Sequence, residues 1–224
     1  MSMFGLPALI CSFFSLLFLA FSWLTPLRAS ERVVVADFSQ GVDEKGVPSG
    51  WRLKERIGKA DLSIVQEGPL HALRLRSADT SFALEKGVGV NPRLYPLLHW
   101  KWKVTKLPGG GDFRKPGADD QAAQIFLAFS NRHAIVYLWD TTAPEGASGN
   151  AWAPPFMTIK ALVLRSGHRE VGKWIAERRN IMQDYKSLFG HHPPVLAGIR
   201  IQINSQHTDT SGESYFADMM LETN

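Results

Sequence analysis

The sequence predicts an all-β domain, a two-layered sandwich of strands, behind an N-terminal export segment. Three observations carry this. Residues 4–24 form an almost unbroken apolar stretch without a charge. From Glu31 onward, apolar and polar residues alternate with a period of two in short runs, the pattern of half-buried strands. Gly, Pro, Asn and Asp punctuate those runs, and these are the residues that turn a chain.

The apolar stretch is followed by Thr25-Pro26-Leu27-Arg28-Ala29, where Leu27 and Ala29 fit a small/apolar cleavage pattern. Residues 1–29 are therefore read as a signal peptide, and the protein as exported, periplasmic or extracellular. No Lys or Arg precedes the stretch, and its length approaches the roughly 20 residues that span a bilayer, so an uncleaved anchor is the alternative. Pro7 and the interrupting serines favour cleavage. Membrane contact is expected through this segment alone, and then where it stays uncleaved. The chain has 1 cysteine, Cys11, which lies inside the stretch after Ile10, where a lipid-attachment site wants a small residue. The mature part thus lacks disulfides, a catalytic thiol and a Cys-bound zinc site. The formal net charge of +4 becomes +3 when Arg28 leaves with the segment. Such a balance permits acidic ligands but does not imply nucleic acid, and no basic cluster with interleaved aromatics supplies a groove for it.

The mature part, residues 31–224, reads as one domain without repeats. Strands are expected at 32–38, 51–57, 62–67, 71–76, 81–86 and 97–107. Residues 124–129 and 134–139 read as an antiparallel pair joined through 130–133. Residues 158–165 and 172–179 read as another pair, turning at 166–168. Strands at 195–204 and 214–221 finish the chain. One helix interrupts them. Asn180 can cap it, Ile181, Tyr185, Leu188 and Phe189 share a face, and Gly190 with Pro193-Pro194 ends it. Gln183 stands three residues past the cap, as in a capping box. The segments 108–117 and 141–155 read as long, mobile loops. Ten or more strands in one domain of about 195 residues favour a jelly-roll-like β-sandwich over an immunoglobulin one.

Two resemblances follow from particular residues. Asp37-Phe38-Ser39-Gln40-Gly41, Gly50-Trp51, Ala72-Leu73-Arg74-Leu75-Arg76-Ser77 and the ending Ser214-Tyr215-Phe216-Ala217-Asp218 resemble the first and last strands of jelly-roll carbohydrate-binding modules. Trp100-Lys101-Trp102, Asp119-Asp120, Tyr137-Leu138-Trp139, Leu164-Arg165-Ser166-Gly167, Trp174, Glu177, Arg179-Asn180, Asp184-Tyr185, Phe189-Gly190 and Asp209-Thr210 resemble domain of unknown function family 3047. That resemblance covers nearly the whole mature chain. It implies an exported single-domain protein and brings no activity with it.

Candidate ligand contacts come from aromatic and carboxylate side chains. Trp100 and Trp102 point to one sheet face with Val104 and are expected in the core, leaving His99, Lys101 and Lys103 on a wet face. Trp139 at a strand end and Trp152 in a loop are better placed to stack on a sugar ring. Asp119 and Asp120, after a Gly/Pro-rich loop, suit sugar hydroxyls or a cation. Asp37 and Asp218 lie on the first and last strands, which a jelly roll sets side by side. A structural calcium is the cofactor considered there, because two nearby carboxylates repel without a cation or proton. Trp174, Glu177, Arg179, Asn180, Asp184 and Tyr185 form the densest polar-aromatic cluster. An ion-pair network fixing the helix is its first reading, a ligand site its second, and acid–base catalysis by Glu177 with Asp184 or Asp120 its third. The histidines are scattered, so zinc is not expected. The triple Gly at 109–111 lacks the Lys of a phosphate loop, and no Gly-x-Ser-x-Gly elbow occurs. The leading expectation is a non-catalytic, ligand-binding sandwich whose partner is a glycan or other envelope ligand. A glycan-cleaving enzyme on the same fold and an envelope assembly protein are the alternatives.

Overall fold

The structure, a computed structural model, describes Met1 and residues 31–224; the expected signal segment lies outside the described residues. The strands in chain order are β1 (Arg32–Ala36), β2 (Arg52–Ile57), β3 (Asp61–Glu67), β4 (Leu70–Ala78), β5 (Ser81–Val90), β6 (Leu97–Lys106), β7 (Ala123–Phe129), β8 (His133–Asp140), β9 (Ser148–Asn150), β10 (Thr158–Ser166), β11 (Ile175–Asn180), β12 (Leu196–Asn204) and β13 (Ser211–Glu222). One helix, α1 (Ile181–Phe189), stands between β11 and β12. The strands form two sheets, a jelly-roll β-sandwich. The first has the order β11-β6-β13-β4-β3, with β1 also on β13. The second has the order β2-β5-β12-β7-β8-β10-β9. Among the described residues no helix is long and apolar enough to cross a membrane.

Alternation sets the core. Trp100, Trp102 and Val104 on β6 are buried against Ile135, Tyr137 and Trp139 on β8. Trp100 stacks on Tyr137 with centroids 5.5 Å apart, and Trp102 meets Trp139 edge-on at 5.8 Å. These pairs bridge the sheets, and each ring brings a large buried area. Helix α1 forms as its sequence directs. The Asn180 side chain accepts a hydrogen bond from the Gln183 amide at 3.1 Å, and Gly190 turns out of the helix at φ 82°. Ile181 and Tyr185 face the core.

Four expectations change. Residues 158–165 and 172–179 are strands but not a pair, since β10 lies parallel to β8 in the second sheet and β11 pairs with β6 in the first. The connection crosses between layers, pinned by Gly167 donating to the Asp140 carbonyl at 3.0 Å and Gly172 to that of Val104 at 2.7 Å. Alternation marks a strand without naming its partner. Strand β9, three residues long, is too short to show a period. Lys103 is buried rather than wet: its ammonium sits 4.2 Å from the Tyr215 ring centroid and 5.1 Å from that of Trp174. The Glu67 carboxylate accepts from it at 2.6 Å, and this hydrogen bond is the chief reason the Glu67 carboxyl titrates below its ordinary range. Finally, the 108–117 loop is tied down. Asp112 and Phe113 are buried, and the Thr142 amide donates to the Gly111 carbonyl at 3.0 Å.

Gly111 shows how tightly that loop packs. A Cβ there would stand 2.2 Å from the Asp120 carbonyl oxygen, a clash with backbone that cannot swing aside. Gly111→Ala is expected to cost about 1–3 kcal/mol in a denaturant melt, as overpacked sites do.

Candidate functional site

The outer face of the second sheet is concave and encloses a cleft of about 1340 Å³. Laid flat, seven strands would span about 29 Å from edge to edge. Here Arg56, on edge strand β2, lies 4.9 Å from the ring centroid of Trp152, just past the opposite edge strand β9. The curl of the sheet and the 151–157 loop together close the distance. The two edges therefore meet through one guanidinium–indole contact, a geometry in which the ring's negative face attracts the cation.

The floor follows from the same period that builds the core. On β12, Ile199, Ile201 and Ile203 point into the sandwich, while Arg200, Gln202 and Asn204 line the cleft. On β7, Ile125, Leu127 and Phe129 point inward, while Gln124, Phe126 and Ala128 line the cleft. On β8 the cleft residues are Ala134, Val136 and Leu138. Register sets Gln202 opposite Gln124, Arg200 opposite Phe126, and Phe126 opposite Val136. One half of the floor is thus amide and charge, and the other is hydrocarbon.

The amides form a chain. Gln202 Nε2 donates to Gln124 Oε1 at 3.4 Å, and Gln124 Nε2 donates to Asn204 Oδ1 at 2.5 Å. Asn204 Nδ2 donates to the Asp119 carbonyl at 2.6 Å and to Asp120 Oδ1 at 3.0 Å. Gln202 is 6 % exposed, and its Oε1 receives no hydrogen bond. Gln206, which also lines the cleft, likewise has an Oε1 without a donor. A buried carbonyl oxygen without a donor carries a cost of roughly 1–3 kcal/mol.

Two carboxylates line the cleft. Glu85 is clamped by Arg52 at 2.9 Å and by Arg200 Nε at 3.0 Å. Burial pushes its pKa up, but the two guanidiniums outweigh burial and hold the carboxyl below its ordinary range. Asp119 goes the other way: burial dominates and raises its pKa, although Gln121 Nε2 donates to it at 3.1 Å.

The structure sorts the expected contacts. Asp119 and Trp152 lie on the cleft, Trp152 at 62 % exposure. Trp139 does not: it is fully buried between the sheets, its Nε1 donating to the Gly167 carbonyl at 3.3 Å, because position 139 takes the inward phase of β8. Asp120 is also fully buried. It accepts from the amide and hydroxyl of Thr208, both at 2.8 Å, and so fastens the loop after β12. Glu177, Asn180, Asp184 and Tyr185 belong to the first sheet and to α1, not to the cleft. Glu177 accepts from Arg165 Nε at 2.7 Å and from Trp102 Nε1 at 3.2 Å. Asn180 caps the helix, Asp184 binds Tyr137 and Arg179, and the Tyr185 hydroxyl meets His133 Nδ1 at 2.7 Å. Strand β1 does lie against β13, with Ala36 opposite Met219, which sets Asp37 and Asp218 next in line. Lys101 pairs with Asp218 at 2.8 Å, supplying the opposite charge that this carboxylate needs. Among the described residues no group of three or more His, Cys, Asp or Glu side chains is placed to hold a metal ion.

Gln124, Phe126, Gln202, Asn204 and Arg56 are cleft residues that sequence reasoning passed over. One signal was present: Arg200-Ile201-Gln202-Ile203-Asn204 alternates strictly, with hydrogen-bonding side chains at every second position. An ordinary solvated face would look the same.

Fold and cleft define a jelly-roll β-sandwich with one concave, amide-floored face. The family model "Protein of unknown function (DUF3047)" matches residues 49–220, and the chain belongs to that family. No curated protein matches the chain. Among solved structures it is similar to the family 11 carbohydrate-binding module from Clostridium thermocellum, at 13% identity over 85% of this chain and 94% of that one, TM-score 0.42. It is also similar to endoglucanase cel12A from Rhodothermus marinus, at 9% identity over 86% and 99%, TM-score 0.47. A third is the family 11 xylanase from Neocallimastix patriciarum, at 9% identity over 87% and 100%, TM-score 0.46.

Proposed function

We propose that this is an exported protein whose cleft binds a glycan without cleaving it. The observation that carries the reading is the split cleft floor, in which the amides of Gln124, Gln202 and Asn204 lie beside the apolar strip of Phe126, Val136 and Leu138. A pyranose has an apolar C–H face to lay on Phe126, Val136 and Leu138, and a ring of hydroxyls for Gln124, Gln202 and Asn204.

The carboxylates support binding over hydrolysis. Glu85 stands opposite Arg200, whereas the Asp119 backbone is tied to Asn204, four residues along β12. Four residues of strand cover about 13 Å of backbone, so the anchor points of the two carboxylates stand farther apart than the about 5–9.5 Å between glycosidase carboxyl groups. Glu177, Asp184 and Asp120 are each taken up by different partners, which supports the same reading.

The test is calorimetric titration with a panel of oligosaccharides, followed by assay of new reducing ends. Binding without release of reducing ends is the expected result. Trp152→Ala should weaken it about tenfold, the worth of one stacked ring at the cleft mouth. Absence of binding across the panel, or steady turnover, would overturn the proposal.

A further inference from the structure

We infer that the glycan is an acidic one, carrying carboxylates along its chain, and that Arg56 is the residue that selects it. This rests on the glycan reading of the cleft and sharpens it to a ligand class.

Charge in the cleft is lopsided. Arg52, Arg56, Lys86, Arg114 and Arg200 line it, against Glu85 and Asp119. The partners of the cations decide which are free. Arg114 is taken up by Asp112 at 2.8 Å. Arg52 and Arg200 share a single carboxylate, Glu85, which leaves one positive charge over. Lys86 donates to the Val35 carbonyl at 2.7 Å, a contact that places the ammonium without neutralising it. Arg56 has no carboxylate partner among the described residues, and its guanidinium lies over Trp152.

The placement of Arg56 is specific. Strand β2 pairs Glu55 with Phe82 and Ile57 with Ser81, so Arg56 is the extra residue of a β-bulge. A bulge re-aims a side chain from its regular position on the strand. The contact with the indole places the guanidinium at the cleft mouth, and the N–H edge of a guanidinium is the fork that grips a carboxylate through two parallel hydrogen bonds. A neutral sugar would satisfy the amide floor and leave this fork unused. An acidic oligosaccharide meets both, with hydroxyls for the amide floor and carboxylates to accept from Arg56.

The experiment titrates the protein with oligomers of galacturonate, glucuronate and mannuronate, and with the carboxyl-reduced neutral form of each. The expected result is that at least one uronate binds about tenfold or more tightly than its reduced form, as charge-assisted bidentate contacts allow. That preference should shrink at high salt. It should vanish in Arg56→Gln, an exposed substitution that removes the charge and keeps a polar side chain, read as the ratio of uronate to reduced-form affinity on the same variant. Equal binding of a uronate and its reduced form overturns the acidic preference and leaves the glycan reading standing. A preference that survives in Arg56→Gln overturns the role of Arg56. Binding of none of the six overturns both readings together.

Discussion

Replacing Asp184 by Ala should cost about 3 kcal/mol, and lower the melting temperature by roughly 6–12 °C for a domain of this size. The carboxylate accepts the Tyr137 hydroxyl at 2.6 Å and Arg179 Nε at 2.9 Å. Tyr137 is wholly buried between the sheets and stacked on Trp100. Burial, then the neighbouring Asp184 charge, push its phenol well above the ordinary range, so it stays a donor at any working pH. Truncation leaves that donor without an acceptor in a closed core, together with a guanidinium under α1. Breaking a buried pair from one side costs about 3–5 kcal/mol. The lower end applies because the Arg179 side chain is 34% exposed and water can take up part of its loss. Asp184→Asn keeps an acceptor and should recover about half. Thermal melts of the three proteins decide the matter. A loss below about 1 kcal/mol for the alanine variant would mean that the cluster is ornamental rather than the fastening between helix and sandwich.

That cluster shows where sequence reasoning reaches and where it stops. Asn180, Gln183 and Gly190 specify the ends of α1 through local chemistry, and the helix begins and ends where they place it. Trp100 and Trp102 lie two apart, so one phase of β6 had to be core. Trp139 obeys the same rule, yet its position near the end of β8 suggested exposure. The end of a strand is wet when nothing covers it, and the 167–174 connection covers this one. Lys103 was misplaced for a related reason. A lysine on the outward phase reads as solvated until Trp174 and Tyr215, distant in sequence, close over it. The cleft was hidden more deeply. Gln124, Phe126, Gln202 and Asn204 are spaced as any outward face would be. Only the curl of seven strands, which brings Arg56 to Trp152 across nearly a hundred residues of chain, turns that face into a container.

Gln202→Leu is expected to separate binding from stability. In the unliganded fold, Gln202 Oε1 is buried without a donor, and Nε2 makes a single long contact of 3.4 Å with Gln124. Leucine of similar length removes the orphaned oxygen and loses that weak contact, so the melt should move by less than about 1 kcal/mol in either direction. Glycan affinity should fall about 10- to 100-fold, since hydrocarbon would replace one amide of the polar half of the floor. Ile201, the next residue on β12, is the control. It is fully buried on the opposite face of the strand. Ile201→Val should cost about 0.5–1.5 kcal/mol in the melt and leave affinity untouched. Adjacent positions on one strand would then fail in opposite assays, as expected if one phase of β12 holds the sandwich together and the other holds the ligand. If Gln202→Leu instead destabilises by several kcal/mol at unchanged affinity, the amide chain is an internal brace, and the cleft floor has no part in recognition.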